Sequence, residues 1–131
     1  MKNYVLDASA LMAFFEDRSG AGKVEALLAE AAGAKGQLSM SVVNWGEVFY
    51  SIWRVHGEAA EAKLREIAQL PIELVAVDLD LAKLSASLKA EHRLPYADCF
   101  AAALARVRKA TLVTSDKDFE RATSLVKILW V

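Results

Sequence analysis

Along the chain, short apolar runs alternate with longer stretches in which apolar positions recur every three or four residues, the two signatures of strand and helix. Tyr4 to Leu6 is apolar and stops at Asp7, as a buried strand does. Ala8 to Glu16 reads as a helix with Ser9 as its candidate cap. Gly22 to Ala32 reads as another, with Val24, Leu27, Leu28 and Ala31 on one side and Gly33 and Gly36 ending it. Leu38 to Ser41 is a second strand. Val42 to His56 is a long helix closed by Gly57, and Ala59 to Leu70 is a helix stopped by Pro71. Ile72 to Val77 reads as a strand, and Asp78 as the cap of a helix from Leu79 to about Arg93. Pro95 opens the next helix, to Lys109, at a first-turn position where its missing N–H costs nothing. Thr111 to Thr114, a helical turn over Asp116 to Arg121 and a last strand over Val126 to Trp130 complete the pattern. Strands that alternate with helices predict an α/β fold, a mostly parallel central sheet with helices on both faces. Such folds bind ligands beyond the carboxyl ends of their strands.

Four acidic residues occupy unusual places in that pattern. Asp7 ends the first strand, where it can cap the following helix or line a site. Glu47 shares a helical stripe with Asn44, Ser51 and Arg54, opposite Trp45, Phe49 and Ile52; the stripe is either a solvated face or the polar wall of a cleft. Asp98 is the sole charged residue between Pro95 and Ala105, in a helix apolar enough to be buried. A buried carboxylate needs a cation or donors, because burial unpaired costs several kcal/mol; the alternative is a first-turn acid favoured by the helix N-terminus. Asp116 repeats the logic of Asp7, an acid just past a strand, with Ser115 and Asp118 beside it. Taken together, these acids converge on one sheet edge. Clustered carboxylates raise one another's pKa unless a cation lies among them. Oxygen ligands without His or Cys favour Mg²⁺ or Mn²⁺ over zinc, and phosphoryl transfer to water is the usual work of such a site.

Composition narrows the field. A chain of 131 residues accommodates one domain, expected to span 1–131. Hydrophobic residues make up 55%, slightly above the usual ~45–50%, so some apolar surface is expected to lie against a partner. The net charge of −1 argues against a global electrostatic grip on nucleic acid, but setting the four acids aside makes it +3. Lys89, Arg93, Arg106, Arg108, Lys109, Lys117, Arg121 and Lys127 are the candidates for a modest basic rim. Cys99 is the lone cysteine, which excludes an internal disulfide or a Cys-cluster metal site and suits a packed core thiol. His56 and His92 lack metal-ligand spacing. The longest strictly apolar run, Cys99 to Ala105, is far below the ~18 residues of a membrane span, and Asp7 interrupts any apolar leader. A cytoplasmic protein without membrane contact is expected.

The stretch Val5-Leu6-Asp7-Ala8-Ser9-Ala10-Leu11 resembles the opening motif of PIN domains. Asn44 with Glu47, then Leu94-Pro95-Tyr96-Ala97-Asp98, then Val113-Thr114-Ser115-Asp116-Lys117-Asp118-Phe119 are similar to the later motifs, in the same order. Each is weak alone, whereas four in order are specific. Length and layout resemble the VapC toxins of type II toxin–antitoxin systems. The resemblance implies a Mg²⁺- or Mn²⁺-dependent endoribonuclease whose catalytic acids are Asp7, Glu47, Asp98 and Asp116, with Asp7, Asp98 and Asp116 holding metal and Glu47 serving a second ion or the attacking water. It further implies supporting roles for Ser9 and Ser115, a less uniform acid at Asp118, an RNA substrate, a homodimer and a small antitoxin protein. The alternative is a non-catalytic PIN-like module that binds RNA or protein, whose expected mark is loss of acids from the quartet. A phosphorelay receiver or a haloacid-dehalogenase-type phosphatase fits poorly, because Asp7 is followed by Ala8 and Ser9 rather than by a second acid.

Overall fold

The computed structural model describes residues 2–131. Five strands form one sheet: β1 (Lys2–Leu6), β2 (Gly36–Ser41), β3 (Glu73–Val75), β4 (Thr111–Thr114) and β5 (Ile128–Trp130). They lie in the order β3-β2-β1-β4-β5, and every neighbouring pair is parallel. The helices are α1 (Ala8–Phe15), α2 (Ala21–Ala32), α3 (Val42–His56), α4 (Ala60–Ala68), α5 (Leu79–His92) and α6 (Tyr96–Arg108), with short 3-10 segments at Gly57–Ala59 and Lys117–Ala122.

Successive side chains of a strand point to opposite faces, and β1 divides the core accordingly. Val5 and Leu112 belong to a cluster with α5, α6 and Phe119. Leu6 and Val113 belong to a second cluster with Leu38, Met40 and residues of α1, α2, α3 and α4. Both faces of the sheet are therefore covered, as the near-continuous apolar strands require. Helix α6 is buried from Asp98 through Ala105, because its row of alanines lets it lie close against the sheet.

The chain winds from β1 outward to β2 and β3, then returns through α5 and α6 to β4 on the other side of β1. The strand order reverses between β1 and β4. At such a switch point the loops leave in opposite directions and open a crevice at the carboxyl edge. Asp7 follows β1 and Asp116 follows β4, so both stand at that crevice.

Several local expectations change in the structure. Ser9 is not the cap of α1. Asp7 is, with extended backbone and an Oδ1 that accepts the Ala10 N–H at 2.9 Å. Pro95 sits one position before the first turn of α6, at the N-cap. The helix expected from Ala59 begins as a 3-10 turn and is regular only over Ala60–Ala68. The strands near 72–77 and 126–130 shrink to Glu73–Val75 and Ile128–Trp130, since each is a sheet edge with one hydrogen-bonding neighbour. Among the described residues no helix is long and apolar enough to cross a membrane.

Candidate active site

Asp7 is 2% exposed, and its carboxylate is held from three directions. Oδ1 accepts the Ala10 N–H at 2.9 Å and the Ser9 hydroxyl at 2.7 Å, and Oδ2 accepts the Thr114 hydroxyl at 2.5 Å. A carboxylate offers about four acceptor positions, so one direction, on Oδ2, stays free. Burial pushes the Asp7 carboxyl up to about 6, against the three hydrogen bonds that favour its charge.

Thr114, the last residue of β4, ties the two strand-end acids together. Its Oγ1 donates to Asp7, accepts the Asp116 N–H at 2.9 Å and lies 3.2 Å from Ser9 Oγ. Ser9 Oγ also accepts the Ser115 N–H at 3.0 Å. The expected support from Ser115 thus comes through its backbone, and the side chain that carries the role is Thr114. Alternation along the strand could have found it: Val113 points into the α1 face, so Thr114 points away, beside the loop that bears Asp116. Thr114→Val keeps the shape but removes the donor to Asp7 and the acceptor for Asp116. It is expected to cost about 10–100-fold in activity, the range for residues that orient ligands, with Thr114→Ser retaining most of it in the same assay.

Asp116 in turn caps the following 3-10 segment, its Oδ1 accepting the Asp118 N–H at 2.9 Å. That turn brings Asp118 round to the same side. Oxygens of Asp98, Asp116 and Asp118 all lie within 4.8 Å of one another. Asp118 also faces Arg121 at 3.4 Å. Asp98 is 6% exposed, and its buried Oδ2 has no hydrogen-bond partner among the described residues. Burial pushes its carboxyl up to about 8, reinforced by the nearby charges of Asp116, Asp7 and Glu47.

Glu47 enters from α3, in the second turn after the N-cap Ser41. Asn44, fully buried, donates to Glu47 Oε1 at 3.1 Å and to the Ala97 carbonyl at 3.0 Å. This bridge pins the start of α3 to the start of α6 and places Glu47 beside the residue that precedes Asp98. The stripe on α3 is accordingly a cleft wall rather than a solvated face. Glu47 and Ser51 line a cavity of about 470 Å³ together with Ser9.

All four predicted acids therefore meet at the carboxyl edge, and Asp118 joins Asp98 and Asp116 in the tightest group. Crowded carboxylates with an orphaned, buried oxygen fit a hard divalent cation bound by oxygen. The expected basic rim gathers only in part: Lys117 and Arg121 follow Asp116 at the site, whereas the cations at the end of α6 do not reach it. Helix α6 starts at the site and ends at the opposite edge of the sheet, where Arg108 makes a two-pronged pair with Glu73 at the start of β3 and its carbonyl accepts from Asn3 at the start of β1. Arg106, Arg108 and Lys109 thus lie far from the acids. Cys99 is fully buried and His56 exposed.

Residues 4–125 match the family model described as PIN domain. The chain belongs to the PIN domain family. Solved structures with the same fold include VapBC2 from Rickettsia felis bound to a fragment of promoter DNA, 16% identical over 98% of both chains with a TM-score of 0.77. VapC20 from Mycobacterium tuberculosis, described as a sarcin-ricin loop cleaving toxin, is 18% identical over 91% of this chain and 94% of its own, with a TM-score of 0.71. VapBC-5 from Mycobacterium tuberculosis, a member of the VapBC family of toxin–antitoxin systems, is 24% identical over the whole of both chains, with a TM-score of 0.68. No curated protein sequence matches significantly. In this PIN domain Asp7, Glu47, Asp98 and Asp116 stand at one edge of the sheet, and the turn after β4 adds Asp118.

Proposed function

We propose that this PIN domain is a divalent-metal-dependent endoribonuclease and the toxin of a type II toxin–antitoxin pair. One observation carries the reading: a buried, unpartnered Asp98 oxygen sits within 4.8 Å of Asp116 and Asp118, beside Asp7 and Glu47. Such an arrangement is costly without a cation. The PIN family and the VapBC folds around it supply the substrate class and the biological setting.

Asp98, Asp116 and Asp118 would hold the ion, and Asp7 would reach it through its one free acceptor position on Oδ2. Mg²⁺ or Mn²⁺ bound there would neutralise the scissile phosphate and acidify a water. The chain's own work is positioning and proton handling. Thr114, Ser9 and the Ala10 N–H hold Asp7 in one orientation, and Asn44 holds Glu47. Glu47, at the cavity edge, accepts the proton of the attacking water. In-line attack by water leaves a 5′-phosphate and a 3′-hydroxyl.

Purified protein incubated with RNA in Mg²⁺ or Mn²⁺ is expected to yield discrete fragments carrying 5′-phosphates, and EDTA to abolish them. Metal-dependent binding of RNA without cleavage would instead mark a non-catalytic module. Expression without an antitoxin is expected to arrest a bacterial host in the cytoplasm, and Asp7→Asn to relieve it at equal expression.

A homodimer is also proposed. Trp45, Phe49 and Trp53 form a row on α3, with ring centroids 5.5 and 5.8 Å apart. Trp53, Val42, Leu74 and Leu79 are exposed, apolar surface that a second copy would cover. Light scattering at tens of micromolar is expected to give twice the monomer mass, and Trp53→Glu to lower it.

A further inference from the structure

The cavity lined by Glu47 is not confined to the acids. It runs as a groove between α1 and α3 to the side of α4, with a volume of about 470 Å³, within the ~300–1,000 Å³ usual for ligand clefts. Ser9 and Glu47 form its inner end, and Ser9 is bonded directly to Asp7. Its outer end carries Arg18, Arg54, His56 and Lys63. Arg18 is paired with Glu16 at 2.9 Å. Among the described residues Arg54 and Lys63 make no ion pair. The Arg54 guanidinium lies over the Tyr50 ring at 5.8 Å, and Tyr50 is 54% exposed. The groove thus carries Glu47 at the end that Ser9 joins to Asp7, and cations with an aromatic ring away from it, where Glu16 is taken up by Arg18.

We propose that this groove is the track of the RNA strand, with Arg54 and Lys63 binding backbone phosphates on one side of the cleavage point and Tyr50 offering its face to an unpaired base. The inference rests on the nuclease reading for its substrate and goes beyond it in assigning the path. A polyanion leaving a carboxylate cluster needs cations a short distance away, both to offset repulsion by the acids and to fix its register. Arg54 is suited to it, since a guanidinium without an ion pair keeps its planar fork of donors for a phosphate. An exposed aromatic face beside two free cations is the sequence-tolerant recognition used for single strands. Of the other cations, Arg121 faces Asp118, Arg108 is held by Glu73, Lys89 donates to the Leu94 carbonyl, and Arg106 and Lys109 belong to the opposite edge, while Lys117, exposed between Asp116 and Asp118, stands outside the groove lining. An acidic peptide would meet the same cations, but it carries no base to lie on the exposed Tyr50 ring.

The test is fluorescence anisotropy of a labelled 12-nucleotide single-stranded RNA in EDTA, so that binding is read without cleavage. Arg54→Ala with Lys63→Ala is expected to weaken binding about tenfold or more and to reduce the slope of log affinity against log salt by roughly 0.7 per cation removed. Tyr50→Ala should weaken it about fivefold or more, with Tyr50→Phe retaining it, while Arg106→Ala leaves it unchanged. Unchanged affinity and slope in the double variant would overturn the proposal, as would absence of binding by the wild type. The variants keep the acids, so circular dichroism and thermal melts check that they fold. RNA bound through Arg54 and Lys63 by a protein that never cleaves would retain the track and refute the nuclease. Cleavage with binding indifferent to both cations would refute the track alone. A poly-glutamate peptide that binds through Arg54 and Lys63 while RNA binding ignores them would reassign the groove to an acidic protein partner.

Discussion

Asp98→Asn is expected to reduce nuclease activity by more than about a hundredfold, beyond the ~10–100-fold typical of residues that only orient ligands, while leaving the metal-free protein at least as stable as the wild type. The two effects have one cause. Asp98 is buried on an alanine-rich face of α6, with one oxygen unpartnered and Asp116 and Asp118 within 4.8 Å. Asparagine has the same shape and removes a charge that the folded state crowds. An acid that served only the N-terminal end of a helix would show the reverse, a loss of up to about 1 kcal/mol on neutralisation. A bound cation stabilises the fold by mass action, about 2.7 kcal/mol at a hundredfold excess over its dissociation constant. Thermal melts in EDTA and in Mn²⁺ should therefore show a metal-induced rise for the wild type and little for Asp98→Asn. A destabilised, metal-responsive and active Asp98→Asn protein would remove Asp98 from the site.

Metal-free protein is expected to lose stability as pH rises from about 4 to about 8. Asp98 is pushed up to about 8, by burial first and then by Asp116 and Asp7, and Asp7 is pushed up to about 6, by burial. Unfolded, both return to the ordinary ~3.9. Between those values the folded chain binds more protons than the unfolded one, and stability then falls with pH. The contribution is complete below about 4 and gone above the folded pKa. A change of only ~1 kcal/mol moves the melting temperature of a domain this size by roughly 3–6 °C. Melting in EDTA is thus expected to be clearly lower at pH 8 than at pH 5. Mn²⁺ should flatten or invert that slope, since a cation favours the ionised acids and releases their protons. Asp98→Asn should remove much of it in EDTA. A flat EDTA profile for the wild type would show that the acids do not crowd one another.

The sequence by itself determined the order of elements, the parallel sheet and the edge at which the acids gather. Those features depend on local, periodic signals: apolar runs that end in Asp7 or before Asp116, and a helix whose lone charge is Asp98. Even the bounds of α3 follow, because Ser41 caps one end and Gly57, at φ +55°, closes the other. Helices α5 and α6 end differently, on Arg93 and Lys109 in the left-handed conformation, and no glycine announces those ends.

Tertiary structure alone decided how the site is wired. Thr114 reads as an ordinary strand residue until β1 and β4 pair and place its hydroxyl against Asp7, 107 residues away. Asn44 is one member of a polar stripe until α3 packs near α6 and its amide finds Ala97. Arg108 and Arg106 looked like part of a basic rim, yet a straight helix that begins at the acids carries its own far end to the other side of the sheet. The groove cations were not separable from solvated helix surface, because Arg54 and Lys63 come from different helices and meet only when α3 and α4 pack. Period and composition report which face of an element is buried; which polar groups meet across elements depends on register and distance, and those exist only after the sheet has formed.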